Sequence, residues 1–378
     1  MTPATHDLPA SARRVLCLTG DLMTGRGIDQ LFAHASRPVL YEPAVSDARE
    51  YVTLAEARNG PIPRPVDPSY VWGDALAALA LAAPDARIVN LETSVTTSDA
   101  CDRGKDIHYR MHPENAALLT AAAIDVCTLA NNHVLDWGRK GLEETLDTLN
   151  ARGLAVSGAG RTRREAESPA VVPLARGGRL LVFAVGSSDS GIAEGWAAGD
   201  HRSGVDLLPD LSADTARALC RRVAASRQPG DTAVVSIHWG SNWGYAVPGA
   251  HVRFAHALVD GGVDLVHGHS SHHPRPVEVY RERLILYGCG DLLNDYEGIQ
   301  GHEAFRGDLS LLYFATLDAA TGSIVRLCMT PMQILHMRLM RATEDDAEWM
   351  RDSMDVISAP FGVRVARDEE GDLTSRWS

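Results

Sequence analysis

The stretch Ala130-Asn131-Asn132-His133-Val134-Leu135-Asp136 brings an amide, an imidazole and a carboxylate into one short run, a combination that suits metal-assisted hydrolysis. Before it, Ile124-Asp125-Val126-Cys127-Thr128-Leu129 is apolar-rich and of strand length. After it, Leu142, Leu146 and Leu149 recur at helical spacing. The polar group therefore belongs at the C-terminal mouth of a strand, where α/β sheets place their ligands. The competing reading is that Asn131-Asn132 only turns the chain and Asp136 caps the helix.

The same arrangement recurs along the chain. Val15-Leu16-Cys17-Leu18 runs into Gly20-Asp21-Leu22-Met23-Thr24-Gly25-Arg26-Gly27, which lacks both the Walker lysine-serine pair and the GxGxxG spacing, so neither nucleotide motif is met. A glycine turn capped by Asp21 is the alternative there. A second strand ends in Asn90-Leu91-Glu92, a third in Ile237-His238-Trp239, and a fourth runs into His267-Gly268-His269-Ser270-Ser271-His272-His273. A lone histidine is usually structural, but Asp21, Glu92, Asn132/His133, His238 and His269/His272 form a succession of strand ends. Imidazoles with carboxylates suit first-row divalent ions, so the expected cofactor is one or two Mn, Fe or Zn ions that activate water. Glu92 is the candidate bridging carboxylate. His133, paired with Asp136, is the candidate catalytic acid. Arg26, Arg64 and Trp239 are candidates for holding a substrate. Asp291 and Asn294, in the glycine turn after Leu284-Ile285-Leu286-Tyr287, either orient a ligand histidine or merely cap that turn.

The motifs GDLMTGR, NLE, ANNHxxDxG, HWG, GHSSHHPxPVEVY and LYGCGDLLNDYEG, in this order over residues 15 to 300, resemble those of the CapA-type poly-gamma-glutamate synthesis family, within the calcineurin-like metallophosphoesterase superfamily. The resemblance implies an α/β fold, a four-layer αββα sandwich with the metal site at the strand C-terminal ends. It also implies that Asp21 and His272 hold one metal, that Glu92 bridges, that Asn132, His238 and His269 surround the second, and that His133 is catalytic without being a ligand. Met23 stands where the superfamily has a histidine, with His267, His273 or water as stand-ins. The final histidines are spaced HxxH rather than HxH. The activity implied is hydrolysis of a phosphoester or a gamma-glutamyl amide. The alternative is a non-catalytic accessory subunit of a gamma-glutamyl ligase.

The elements that must position these residues are strands alternating with helices along 378 residues. Residues 15–335 are expected to form the main domain, with a Pro-rich excursion at 38–73 as a lid whose Arg49, Arg58 and Arg64 are either candidates for a substrate carboxylate or phosphate or solvated surface. Residues 336–378 are expected to form a helical appendage, begun by Thr343 with Asp346 three residues on, and a polar tail that frays after Arg367. The net charge of −13 excludes a nucleic-acid backbone as main partner and leaves a small-molecule or short polyanionic substrate. Six scattered cysteines without a CxxC pair read as free thiols. No apolar run reaches the ~20 residues of a membrane helix, and residues 1–14 hold no signal-like apolar core, so the expected location is the cytoplasm.

Overall fold

The computed structural model describes residue 9 and residues 12–377. Two sheets carry the chain. In the first, Arg13–Leu22, Ala86–Leu91, Val126–Thr128 and Ala155–Ser157 run parallel, and Asp291–Leu293 joins the end of Arg13–Leu22. Leu309–Asp318 and Ile324–Ile334 continue this sheet antiparallel on its other side. In the second, Arg179–Gly186, Thr232–His238, Leu265–His269 and Arg283–Leu286 run parallel between antiparallel edges.

Alternation along these strands decides what each face meets, because successive side chains point to opposite sides of a sheet. Leu16, Leu18, Ala86, Ile88 and Val126 of the first sheet share one core with Leu180, Val182, Val234, Leu265 and Leu284 of the second. The intervening Cys17, Val89, Leu91 and Cys127 face helices instead, packing with Leu142, Leu146 and Leu149 of helix Gly138–Ala151. On the far side, Leu181, Phe183, Val235, Ile237 and Val266 pack under helices Ala213–Ser226 and Gly249–Asp260 through Leu219, Val223, Phe254 and Leu258. Two sheets thus meet face to face with helices outside each.

One irregularity aims the first strand. Between Leu18 and Asp21 three residues advance against two on the neighbouring strand, from Ile88 to Asn90, which is a β-bulge. The extra residue turns Leu22 toward the helix-side core and Asp21 toward the second sheet. A glycine is required beside the bulge: a Cβ on Gly20 would lie 1.6 Å from the Gly290 carbonyl oxygen, and the next amide, Asp21 N–H, donates to that oxygen at 2.9 Å.

The excursion and the C-terminus are both built into the fold. The excursion at 38–73 contributes Leu40, Tyr51, Val52, Ala55, Ile62, Val71 and Trp72 to the helix-side core, with the Trp72 indole donating to the Leu118 carbonyl at 2.8 Å. The polar C-terminus does not fray: Val363–Arg367 and Leu373–Trp377 form an antiparallel pair that extends the first sheet, with Leu373 fully buried beside Met350 and Met354 of helix Glu344–Ser358. That helix starts as its residues dictate, Thr343 accepting from Asp346 N–H. Val363, Val365 and Leu373 are few and lie among charged residues, which hid these strands in the sequence. Leu373→Ala is expected to cost about 2–5 kcal/mol, the usual range for a buried leucine, in a urea titration. An unchanged midpoint would show the last strand to be dispensable.

Candidate metal centre

Strand parity gathers the polar residues. In the second sheet Ser236 and His238 lie on the inward face with His267 and His269, their register partners on the neighbouring strand. In the first sheet Asn90 and Glu92 share parity with Ile88, which faces the same core. Asp21 meets all of them at the seam. Its Oδ1 accepts from Asn90 Nδ2 at 2.7 Å and its Oδ2 from Ser270 N–H at 3.1 Å. Its Oδ1 also lies 3.8 Å from His269 Nδ1.

Among the described residues two sets of donors have metal-ligand spacing, all fully or almost fully buried: Asp21, His238 and His269 have ligand atoms within 4.8 Å of one another, as do Asp21, His272 and Asp291. Asp21, rather than Glu92, is common to both. Glu92 sits beside them, its Oε2 accepting from Asn90 at 3.2 Å and its Oε1 3.8 Å from His133 Nε2. Asp291 contacts His272 directly, 2.9 Å from its Nδ1, while Asn294 donates to the other Asp291 oxygen at 2.8 Å. The turn thus supplies a ligand-spaced carboxylate held by Asn294.

The organising loop is built by its first asparagine. Asn131 Oδ1 accepts from the backbone N–H groups of His133 and Val134, and its Nδ2 donates to Asn90 Oδ1 and the Leu91 carbonyl. Asn132 Oδ1 is buried and without a hydrogen-bond partner among the described residues. His238 Nε2 is in the same position. An orphaned buried nitrogen on a member of a carboxylate–imidazole cluster, as His238 Nε2 is, fits a divalent ion.

Asp136 Oδ2 lies 2.6 Å from His133 Nδ1 and accepts from Tyr109 N–H at 2.7 Å, while Lys105 donates to Asp136 Oδ1 at 2.5 Å and to the Asn132 carbonyl. Lys105 carried no sequence signal, since it lies in an irregular loop far from every motif. Asn90, by contrast, could have been found from its parity with Glu92.

Burial and crowding of like charges explain the electrostatics. Burial and the nearby Asp291 push Asp21 up to about 7, and burial with Asp21 pushes Glu92 well above its ordinary range. A divalent cation among them would reverse that repulsion. Burial lowers His238 and His269 well below their usual value, which leaves them neutral, as ligands must be. Burial also lowers His133 to about 4, against the opposing pull of Asp136. Burial would raise Asp136, but His133 and Lys105 outweigh it and hold the carboxylate low.

The other candidates are already engaged, and Arg26 lies beside the cluster, over the Tyr109 ring that meets His133 edge-on. Arg26 is buried and fully engaged, donating to both oxygens of Asp295 and to Glu42 and Tyr51. Arg64 pairs with Glu56 and Arg49 with Asp47 at the surface. Trp239 falls on the outward parity of its strand, stacked on His251 with its indole N–H bonded to the Tyr287 carbonyl, so it is core rather than pocket wall. Met23 is buried, 3.7 Å from the Tyr296 hydroxyl. Of its stand-ins, His267 and His273 both have each ring nitrogen within bonding distance of other groups.

Fold and site define a class: a mixed α/β protein with a buried imidazole–carboxylate cluster at the C-terminal mouths of the parallel strands of two sheets. Residues 15–296 match the bacterial capsule synthesis protein PGA_cap family, and the chain belongs to that family. It is 48% identical over 349 residues, 92% of each chain, to a probable polyglutamine synthesis accessory protein of Mycobacterium tuberculosis. It is 28% identical over 230 residues to the PGA biosynthesis protein CapA of Bacillus subtilis, covering 61% of this chain and 56% of that one. The capsule biosynthesis protein CapA of Bacillus anthracis is 27% identical over 195 residues, 50% of this chain and 45% of its own.

The low value of His133 has a measurable consequence. Its unfolded value of 6.5 lies above its folded value of about 4, so the unfolded chain binds a proton first as pH falls. The contribution is present above pH 6.5 and is lost as pH falls toward 4. In urea titrations across that window, His133→Gln is expected to show a shallower decline of stability than the parent. An identical slope would contradict the burial of a neutral imidazole.

Proposed function

We propose that the chain is a metal-dependent hydrolase that cleaves a phosphoester or a gamma-glutamyl-type amide in a small or short polyanionic substrate. The observation that carries this reading is the membership of Asp21 in both buried ligand-spaced groups, with the His133–Asp136 pair alongside. The layering of helices, two facing sheets and helices supports the metallophosphoesterase-type sandwich. Asp21, His238, His269, His272 and Asp291 would hold one or two Mn, Fe or Zn ions, with Asn132 Oδ1 as a further donor. When bound, such ions supply a water activated at neutral pH and stabilise charge on the oxygen of the breaking bond.

This chain's residues then do the following. Asp136 accepts the Nδ1 proton of His133, which leaves the lone pair on Nε2, the nitrogen nearest Glu92. His133 therefore begins as a proton acceptor, and it becomes the acid for the leaving group only after taking a proton from the attacking water. Lys105 and Tyr109 N–H keep Asp136 ionised and in place. A fifth of the Lys105 side chain is exposed at this edge while its ammonium holds Asp136. Six unpaired cysteines support a reducing, cytoplasmic setting, and no helix among the described residues is long and apolar enough to cross a membrane.

The second reading, a non-catalytic subunit of a gamma-glutamyl ligase assembly, draws on the word accessory in the name of the mycobacterial relative. Elemental analysis after reconstitution, with turnover of bis-p-nitrophenyl phosphate and gamma-glutamyl-p-nitroanilide, separates the two. Bound metal is expected, with His238→Ala and His269→Ala each lowering its content. His133→Ala should keep the metal and lose roughly 10²–10⁴-fold in turnover, as for a general acid–base. Full metal with no turnover of either ester or amide would favour the accessory reading, and equal metal loss in all three variants would remove the role given to His133.

A further inference from the structure

Behind the candidate ligands lies a row of buried polar groups that the proposed mechanism does not use. His267 Nε2 is 2.8 Å from the Thr19 carbonyl oxygen, across the seam on the first sheet. His267 Nδ1 is 3.1 Å from Ser236 Oγ, and Ser236 Oγ is 2.8 Å from His269 Nε2. Ser236, His267 and His269 are each at most 1% exposed.

The direction of every proton in this row follows from its ends. A carbonyl oxygen only accepts, so His267 Nε2 carries the hydrogen. Among the described residues no carboxylate pairs with His267, which is fully buried with the Thr19 carbonyl and the Ser236 hydroxyl at its ring nitrogens; an unpaired buried charge is costly, so the ring is neutral and its Nδ1 is a bare acceptor. Ser236 spends its single hydroxyl proton on that nitrogen. The remaining Ser236 contact must then run the other way, with His269 Nε2–H donating to the serine oxygen. A neutral His269 protonated at Nε2 presents its lone pair at Nδ1, and Nδ1 is the atom 3.8 Å from Asp21 Oδ1 and 2.9 Å from His238 Nδ1.

We infer that Ser236 and His267 are positioning residues that lock His269 as the Nε2–H tautomer, with Thr19 as the fixed end of the relay, and so commit His269 Nδ1 to a divalent cation. Second-shell partners of this kind orient a ligand imidazole and raise its basicity. The fold supplies the relay through parity and register alone: Ser236 lies opposite His267 in the parallel ladder, one step from the His238–His269 pair. The inference rests on the metal reading for its consequence and on the hydrogen-bond row for its content.

The test therefore has two independent parts, both on the full chain. With histidine labelled at both ring nitrogens, long-range proton–nitrogen correlation should show His267 and His269 both protonated at Nε2. A His269 protonated at Nδ1 would overturn the relay, whether or not the protein binds metal. Competition of Zn²⁺ against a chromophoric chelator should then show Ser236→Ala binding about 10–100-fold more weakly, the usual cost of losing such a partner, with Ser236→Thr returned close to the parent by its hydroxyl. Equal affinity of parent and a folded Ser236→Ala would overturn the positioning role. If Ser236→Ala fails to fold, the tautomer measurement on the parent decides. A parent that takes up no Zn²⁺ would instead count against the hydrolase reading and leave the tautomer result standing.

Discussion

Asp21 is the group on which the two halves of the molecule converge. Its carboxylate is buried, and it receives one hydrogen bond from Asn90 of its own sheet and one from the Ser270 backbone of the other. A carboxylate removed from water needs such partners or a cation, and here the nearby Asp291 makes the need greater. The bulge after Leu18 and the glycine contact at Gly20 and Gly290 exist in the fold at the one place where they turn this side chain across the seam. Everything else in the site is arranged relative to it: His238 and His269 on one side, His272 and Asp291 on the other.

The second constraint is period two. Because Ser236, His238, His267 and His269 share the inward face of adjacent parallel strands, one short ladder delivers both candidate ligands and the groups that hold one of them. The same rule sends Trp239 outward, under helix Gly249–Asp260, where it stacks on His251. On the first sheet it places Asn90 with Glu92, so that one amide braces Asp21, Glu92 and the loop asparagine Asn131 together.

Much of this was legible in the sequence, and for physical reasons. Buried parallel strands such as Thr232–His238 read as continuous apolar runs, and a polar residue at the end of each marks the mouth of the sheet. That is why Asp21, His238, His269 and the His133 loop could be named from their positions. What depends on geometry across the chain was not legible. Nothing local tells that the bulge makes Asp21 the shared carboxylate, that Asp295 and Glu42 engage Arg26, or that Lys105 reaches Asp136 from a distant loop. The last two strands were missed because Arg364, Arg367, Asp368 and Arg376 make that segment look solvated, although Val363 and Leu373 are buried against the helix before it.

The chain belongs to the bacterial capsule synthesis protein PGA_cap family and is similar to a probable polyglutamine synthesis accessory protein, and one buried carboxylate lies at the centre of its candidate site. The most direct measurement is anomalous diffraction from crystals of the full chain grown with Mn²⁺. The account expects an anomalous peak within coordination distance of the Asp21 carboxylate, flanked by His238 and His269, by His272 and Asp291, or by a peak on each side. A well-ordered Asp21 with no peak beside it, or a peak held only by residues outside this cluster, would contradict it.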